Sequence, residues 1–323
     1  MKTINKFKRG TTTGYKGYGK GLVCRGFRFK EGATFEEIGE PIPCNNGFHF
    51  CENPLDVLDY YPLIDNDGNI TEFTQVEAIG DIKIDGNKYC TNKIKIGLKL
   101  SLKAFIQGSV DFLFEKSKEV QENTGYYAQL ASSGYYAQLA SSGYSAQLAS
   151  SGYSAQLASS GDSARLASSG DSARLASSGD SARLASSGDY AQLASSGDSA
   201  QLASSGYYAQ LASSGDSARL ASSGYYAQLA SSGYSARLAS SGDSARLASS
   251  GDYAQLASSG YYGVIANIGR NGTAKGVVGT WITLAEYNDN GRCICVKSAQ
   301  IDGEKLKSDI YYKLYNGEFE EII

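Results

Sequence analysis

The sequence has little of what most functional classes require. Among its 323 residues there is one histidine, so any chemistry that needs an imidazole falls to His49. Six cysteines, Cys24, Cys44, Cys51, Cys90, Cys293 and Cys295, are too sparse for a disulfide scaffold, and reduced thiols are expected. No run of eighteen apolar residues occurs, which excludes a helical membrane span. The first residues carry Lys2, Lys6, Lys8 and Arg9 with no apolar stretch behind them, so no secretion signal and a cytoplasmic location are expected. A net charge of −3 gives no overall bias toward a polyanionic partner.

What the chain does have is repetition. From Gly125 to Ser259 a nine-residue unit, G-[YD]-[YS]-A-[QR]-L-A-S-S, recurs fifteen times without insertion or deletion. Fixed-period self-similarity marks a stacked array. A helix is disfavoured, because nine residues make about two and a half turns and would send successive leucines to opposite sides. Gly and paired Ser are also weak in helix interiors. Read as a strand, each unit puts Ala128, Leu130 and Ser132 on one face and Tyr127, Gln129 and Ala131 on the other. The first face suits the narrow interior of a β-solenoid, and the Gly, free to take a positive φ, supplies the corner. Two nonads per coil is the natural packing, with a three-sided coil as the alternative. One unit has too little to bury to offset the ordering of its backbone, so stability has to come from neighbours.

The predicted fold is mainly β: a nonapeptide-repeat β-solenoid over 125–268, capped by a small α+β domain over 1–100 and a short β-rich unit over 269–323. Open sheet edges invite association, and the flanking segments read as covers. Residues 101–124 form a capping helix with Leu102, Phe105, Ile106, Val110, Leu113 and Phe114 on one face. In the N-terminal domain strands are expected at Leu22–Phe29, Phe48–Cys51, Phe73–Ile79, Asp81–Ile84 and Lys93–Leu100. A short helix begins at Asn53, with Pro54 in its first position. The first twenty residues mix basic residues, Gly and Tyr. They read as a solvated leader or as an arm touching nucleic acid. The tail reads as two hairpins, turning at NDNG and at Asn316-Gly317.

Two constellations could carry chemistry. Cys44, His49 and Cys51 in CNNGFHFC have metal-ligating side chains, with Cys24 or Cys90 available as a fourth. The tight C-x2-C knuckle is missing, so buried thiols and no metal are expected. Asp65, Asp67, Asn69 and Glu72 read as a turn, because a calcium loop needs a different length and Gly position. Arg25 in VCRGF and His49 in GFHFCENPLDVLDYY resemble the nicotinamide-binding core of ADP-ribosyltransferase folds. Under that resemblance Glu77 would be the late-strand carboxylate, and all three should converge on one pocket. The competing reading leaves Arg25 on the surface and His49 as a strand residue beside the helix.

A broader resemblance rests on CRGFRFKEGATFEEIGE, GFHFCENPLDVLDYY and the uniform nonads that follow. Together these resemble an uncharacterised family of bacteriophage and prophage proteins. The resemblance implies a phage setting and a protein made in the infected cell, and it supplies no cofactor and no functional residues.

The array varies only at its second, third and fifth positions. Eight units have Asp in the second position and six have Arg in the fifth, leaving −2 over the array. Five units hold both, among them Asp162 with Arg165 and Asp171 with Arg174. That balance argues against a DNA mimic. The GGxGxD pattern of calcium-binding nonads and the Thr ranks of an ice-binding face are both absent. Tyr ladders through Tyr126, Tyr135, Tyr207 and Tyr225 offer contact area, although stacked Tyr also stabilise neighbouring coils. The expected binding surface is therefore these tyrosines with Asp162, Arg165, Asp171 and Arg174. The leading reading is a non-catalytic interaction protein that binds or blocks a host macromolecule as a counter-defence factor, with possible self-association through its caps. An enzyme on a solenoid scaffold and a virion or fibre spacer are the alternatives.

Overall fold

The computed structural model of the chain describes residues 6–8, 11–65, 67–118 and 125–322. Strands hold 47% of the residues and helix 5%, so the chain is mainly β. In chain order the N-terminal part has β1 (Lys6–Lys8), β2 (Thr12–Tyr18), β3 (Val23–Cys24), β4 (Phe27–Arg28), β5 (Thr34–Glu36) and β6 (Phe48–Phe50). A 3₁₀ helix (Pro54–Asp59) follows, then β7 (Glu72–Ala78), β8 (Ile82–Asp85), β9 (Lys88–Thr91), β10 (Lys93–Leu100) and helix α1 (Leu102–Lys118). Two antiparallel sheets of four strands form, in the orders β1-β8-β9-β6 and β2-β7-β10-β5. Tyr18, Phe48, Phe50, Val76, Ile82, Ile94 and Ile96 from both sheets make their shared core.

Residues 12–18 are neither leader nor arm. They form β2, which pairs along its length with β7 and buries Tyr18 completely. The glycines that suggested flexibility serve close packing. A Cβ on Gly14 would lie 2.5 Å from the Cys51 carbonyl oxygen, and one on Gly17 2.8 Å from Tyr61 and Val57. The segment Leu22–Phe29 is not one strand but a hairpin, β3 against β4. Arg25 (φ 51°) and Gly26 (φ 79°) take the two left-handed positions of its tight turn. Asn53 caps the 3₁₀ helix by accepting the Leu55 amide at 3.1 Å.

Each nonad contributes one four-residue strand, from β11 (Gln129–Ser132) to β25 (Gln255–Ser258). Pairing is parallel with a shift of eighteen residues, as in Leu148 against Leu166, so a coil holds two nonads. Successive nonads therefore join opposite sheets. The fourth-position Ala and sixth-position Leu fill the interior, for example Ala182, Leu184, Ala191 and Leu193. The eighth-position Ser is buried too, and its hydroxyl accepts the amide of the next Gly, 3.1 Å for Gly152 on Ser150. The expected role of the Gly needs correction. Beyond Gly125, its φ is not positive within the array; the third residue takes that conformation instead in many units, as in Ser181 (φ 56°) and Tyr226 (φ 54°). The Gly is required by coil stacking: a Cβ on Gly206 would lie 1.8 Å from the carbonyl oxygen of Gly188.

The coils outlast the nonad signature. β26 (Val264–Asn267), β27 (Thr273–Gly276) and β28 (Trp281–Tyr287) continue the stacking, giving a solenoid of about nine turns over residues 129–284. β29 (Cys293–Gln300) then turns back antiparallel on β28, and the hairpin β30 (Tyr311–Tyr315) and β31 (Glu318–Ile322) docks on β27. Ile301, Leu306, Tyr312 and Leu314 extend the solenoid core into this end.

The N-terminal part does not sit across the first coil. It lies along the outer face of the eleven-stranded sheet, where the seventh-position Ala149, Ala167, Ala185, Ala203, Ala221, Ala239 and Ala257 pack against Leu55, Leu58, Leu63, Ile64, Phe105 and Ile106. Of the residues expected on the apolar side of α1, Leu102, Phe105 and Ile106 are buried here. The side chains of Val110, Leu113 and Phe114 lie outside the described residues. Polar contacts run the length of this flank. Arg165 meets Asp56 at 2.5 Å and Arg183 pairs with Asp59. Gln201 accepts the Leu63 amide at 3.0 Å, and Lys275 reaches the Asp67 carbonyl at 2.6 Å. Alanines on alternate outward positions leave a flat face on which a helix can lie.

Candidate functional site

A cavity of about 500 Å³ opens between β2, β6, the β3–β4 hairpin and the 3₁₀ helix. It brings together Arg25, His49, Cys44 and Cys51, and adds Lys16, Cys24, Asp59, Tyr60, Tyr61 and Lys88. Glu77 is not among them. It sits on β7 opposite Thr13 and Lys95, and its carboxylate lies 3.8 Å from Lys95. Val76 and Ala78 on either side of it are buried, so alternation turns Glu77 to the opposite face of the strand. The Arg25, His49 and Glu77 set is therefore not assembled.

The imidazole of His49 is already engaged. Its Nε2 accepts the Cys44 amide at 2.8 Å, which places the ring proton on Nδ1. Burial pushes its pKa down to about 4, helped by Lys16, Lys88 and Arg25. It is thus neutral near pH 7, with the Nε2 lone pair committed to the backbone. Burial pushes the Cys51 thiol up to about 12, which makes it a poor nucleophile and a poor metal ligand. Although Cys44, His49 and Cys51 border one cavity, no group of three or more His, Cys, Asp or Glu able to hold a metal exists among the described residues. Asp65 likewise serves its own turn, accepting the amides of Asp67 and Asn69 at 2.9 and 2.8 Å.

The residues expected to form a contact surface on the solenoid are dispersed by coil parity. Tyr126 stacks on Tyr144 with centroids 4.8 Å apart, Tyr135 on Tyr153 at 5.1 Å and Tyr207 on Tyr225 at 5.4 Å. These rings tie successive coils together at the corners while remaining about half exposed. Asp162 does not pair with Arg165; its carboxylate accepts the amide of Asp180 one coil on, at 3.3 Å. The same bond recurs from Asp180 to Asp198 and from Asp198 to Asp216. None of the five Asp and Arg couples within a nonad is an ion pair, because the second position lies at the corner and the fifth points outward from the strand. Arg165 is spent on Asp56 beneath the N-terminal part, whereas Arg174 and Asp171 are exposed.

Parity also creates the feature that sequence reasoning missed. The outer face of the ten-stranded sheet is bare. There Ala140, Ala158, Ala176, Ala194, Ala212, Ala230 and Ala248 form an exposed ladder along a shallow groove of about 1200 Å³. Beside it runs the column Gln138, Gln156, Arg174, Gln192, Gln210, Gln228 and Arg246, with no carboxylate in it. That column ends at Val264 and at Trp281, the only tryptophan, which is 50% exposed. The signal was present in the seventh-position Ala, which alternation already turned outward.

Residues 12–108 match the DUF7666 model, a domain of unknown function. The DUF7666 domain thus takes in β2 through the first part of α1, including the cavity and the 3₁₀ helix that lies on the solenoid. The nonads lie outside it. No curated protein and no solved structure matches the chain.

Proposed function

We propose that this is a non-catalytic interaction protein whose solenoid holds a partner polypeptide on its bare flank. The observation that carries the reading is the unequal use of two flanks built from one repeat. One binds the DUF7666 domain through an Ala ladder and Arg–Asp pairs; the other presents the same ladder, with Arg174 and Arg246, to solvent. A face whose outward side chains are Ala, Ser, Gln and Arg fits a protein segment with a flat apolar side and carboxylates placed to meet the two arginines. Trp281 at its end supplies the kind of aromatic anchor on which interfaces concentrate their energy. That the partner is a host macromolecule, met in phage infection and blocked as a counter-defence, belongs to this proposal and rests on the resemblance given above. Among the described residues no helix is long and apolar enough to cross a membrane.

The test replaces Ala194 and Ala230 with Arg in the full chain, which roughens the bare flank without touching the core. The partner captured by the wild-type protein from host lysate should be lost, with the melting temperature unchanged. It should be lost again in Arg174→Glu. Capture that survives both variants overturns the reading.

A further inference from the structure

We propose that the cavity of the DUF7666 domain is a binding site for a nucleotide, its phosphate held among Lys16, Arg25 and Lys88 and its flat ring placed against Tyr60 and Tyr61. This goes beyond the bare flank and does not depend on it.

Three cationic side chains border one cavity, and none has a carboxylate partner among the described residues. Four other lysines of the same domain do: Lys83 with Glu40, Lys93 with Glu36, Lys95 with Glu77 and Lys99 with Glu72. Lys16 is only 4% exposed and donates to the His49 carbonyl at 3.0 Å, with the Cys24 sulfur at 3.6 Å. Lys88 lies 3.6 Å from the Cys44 sulfur and 4.0 Å from the centre of the Tyr60 ring. Asp59, the only carboxylate among the described residues that line the cavity, is engaged by Arg183 and by the Asn87 amide at 2.8 Å.

A buried ammonium held by a carbonyl and a sulfur leaves its charge uncompensated, and burial accordingly lowers the pKa of Lys16. A doubly charged oxyanion is the group that would satisfy three cations at once. Arg25 stands at the tip of the hairpin turn, where its planar fork can approach phosphate oxygens from the solvent side. The volume of about 500 Å³ lies in the range of small-ligand sites, and Tyr15, Phe50, Tyr60 and Tyr61 give it aromatic walls. His49, neutral and bonded to the Cys44 amide, contributes shape rather than charge.

Calorimetry on the full chain tests the proposal with the four ribonucleoside monophosphates, their nucleosides and inorganic phosphate as probes. At least one monophosphate should bind with a Kd below about 1 mM. It should bind at least about tenfold tighter than its nucleoside or inorganic phosphate, and added salt should weaken it. Arg25→Gln and Lys88→Gln should each weaken binding about tenfold with the melting temperature unchanged, while Lys93→Gln, outside the cavity, should leave it as it is. Nucleosides binding as tightly as their monophosphates, no monophosphate binding, or affinity unaltered by the two cavity variants would overturn it.

Discussion

The two flanks of the solenoid carry almost the same outward residues, yet one is covered and the other bare. The difference lies in the order of the fifth-position residues along each sheet. On the covered side Arg165, Arg183 and Gln201 occupy consecutive coils, so the two arginines stand about 4.8 Å apart in the ladder. Asp56 and Asp59, one 3₁₀ turn apart, meet that spacing. On the bare side Arg174 and Arg246 are separated by three coils bearing Gln192, Gln210 and Gln228, and the same helix could satisfy only one pair there. Covalent connection through α1 then raises the local concentration of the domain at the side it fits. A repeat can thus build two chemically similar faces and assign them different work by a few Gln and Arg choices.

If the flanks differ only outside, interior substitutions should not tell them apart. Leu202→Ala beneath the covered flank and Leu211→Ala beneath the bare one should each cost about 2–5 kcal/mol in chemical unfolding, within error of each other. A clear inequality would mean that the domain braces the core and is more than a cover. Outside the core the flanks should diverge. Arg165→Ala leaves the buried Asp56 without its partner and should cost about 3 kcal/mol. Arg174→Ala, at an exposed site, should stay within about 0.5 kcal/mol. Equal losses would show that the Arg165–Asp56 pair does not hold the domain in place.

The smallest effect should come from pH. With its folded pKa near 4, below the ordinary histidine value, His49 binds fewer protons in the folded than in the unfolded chain. Its contribution to stability is therefore present above the ordinary range near 6.5 and is lost as pH falls toward 4. Acid should loosen the DUF7666 domain ahead of the solenoid, whose nonads bury Ala, Leu and Ser, none of which titrates in acid. His49→Gln should flatten the part of the slope between those values, read by tyrosine fluorescence or hydrogen exchange. A slope identical in the variant would remove His49 as its source.

Much of the solenoid was legible in the repeat. Alternation within QLAS placed Leu inside and Ala outside, and the nine-residue period favoured two strands per coil over three, which the eighteen-residue register decides. The Gly was misread because its role depends on a carbonyl oxygen eighteen residues earlier, as Gly188 is to Gly206. Within the candidate cavity, Arg25 and His49 were visible as unusual residues in strand-like surroundings. Lys16 was hidden in a segment that looked like a basic leader, and only its place in β2 buries it. Glu77 was drawn into the set by residue type, whereas the pairing of β7 fixes the face it occupies.

Taken alone, the sequence determines the coil, because each nonad carries the same local pattern and its ladder bonds reach only to units one turn away. Which flank is covered and which residues share the cavity were decided only in three dimensions. Those outcomes rest on contacts such as Leu63 with Gln201, 138 residues apart, and Lys275 with Asp67, 208 residues apart. No periodicity encodes such pairs; they follow from the shape of the domain and the order of arginines along the face that receives it.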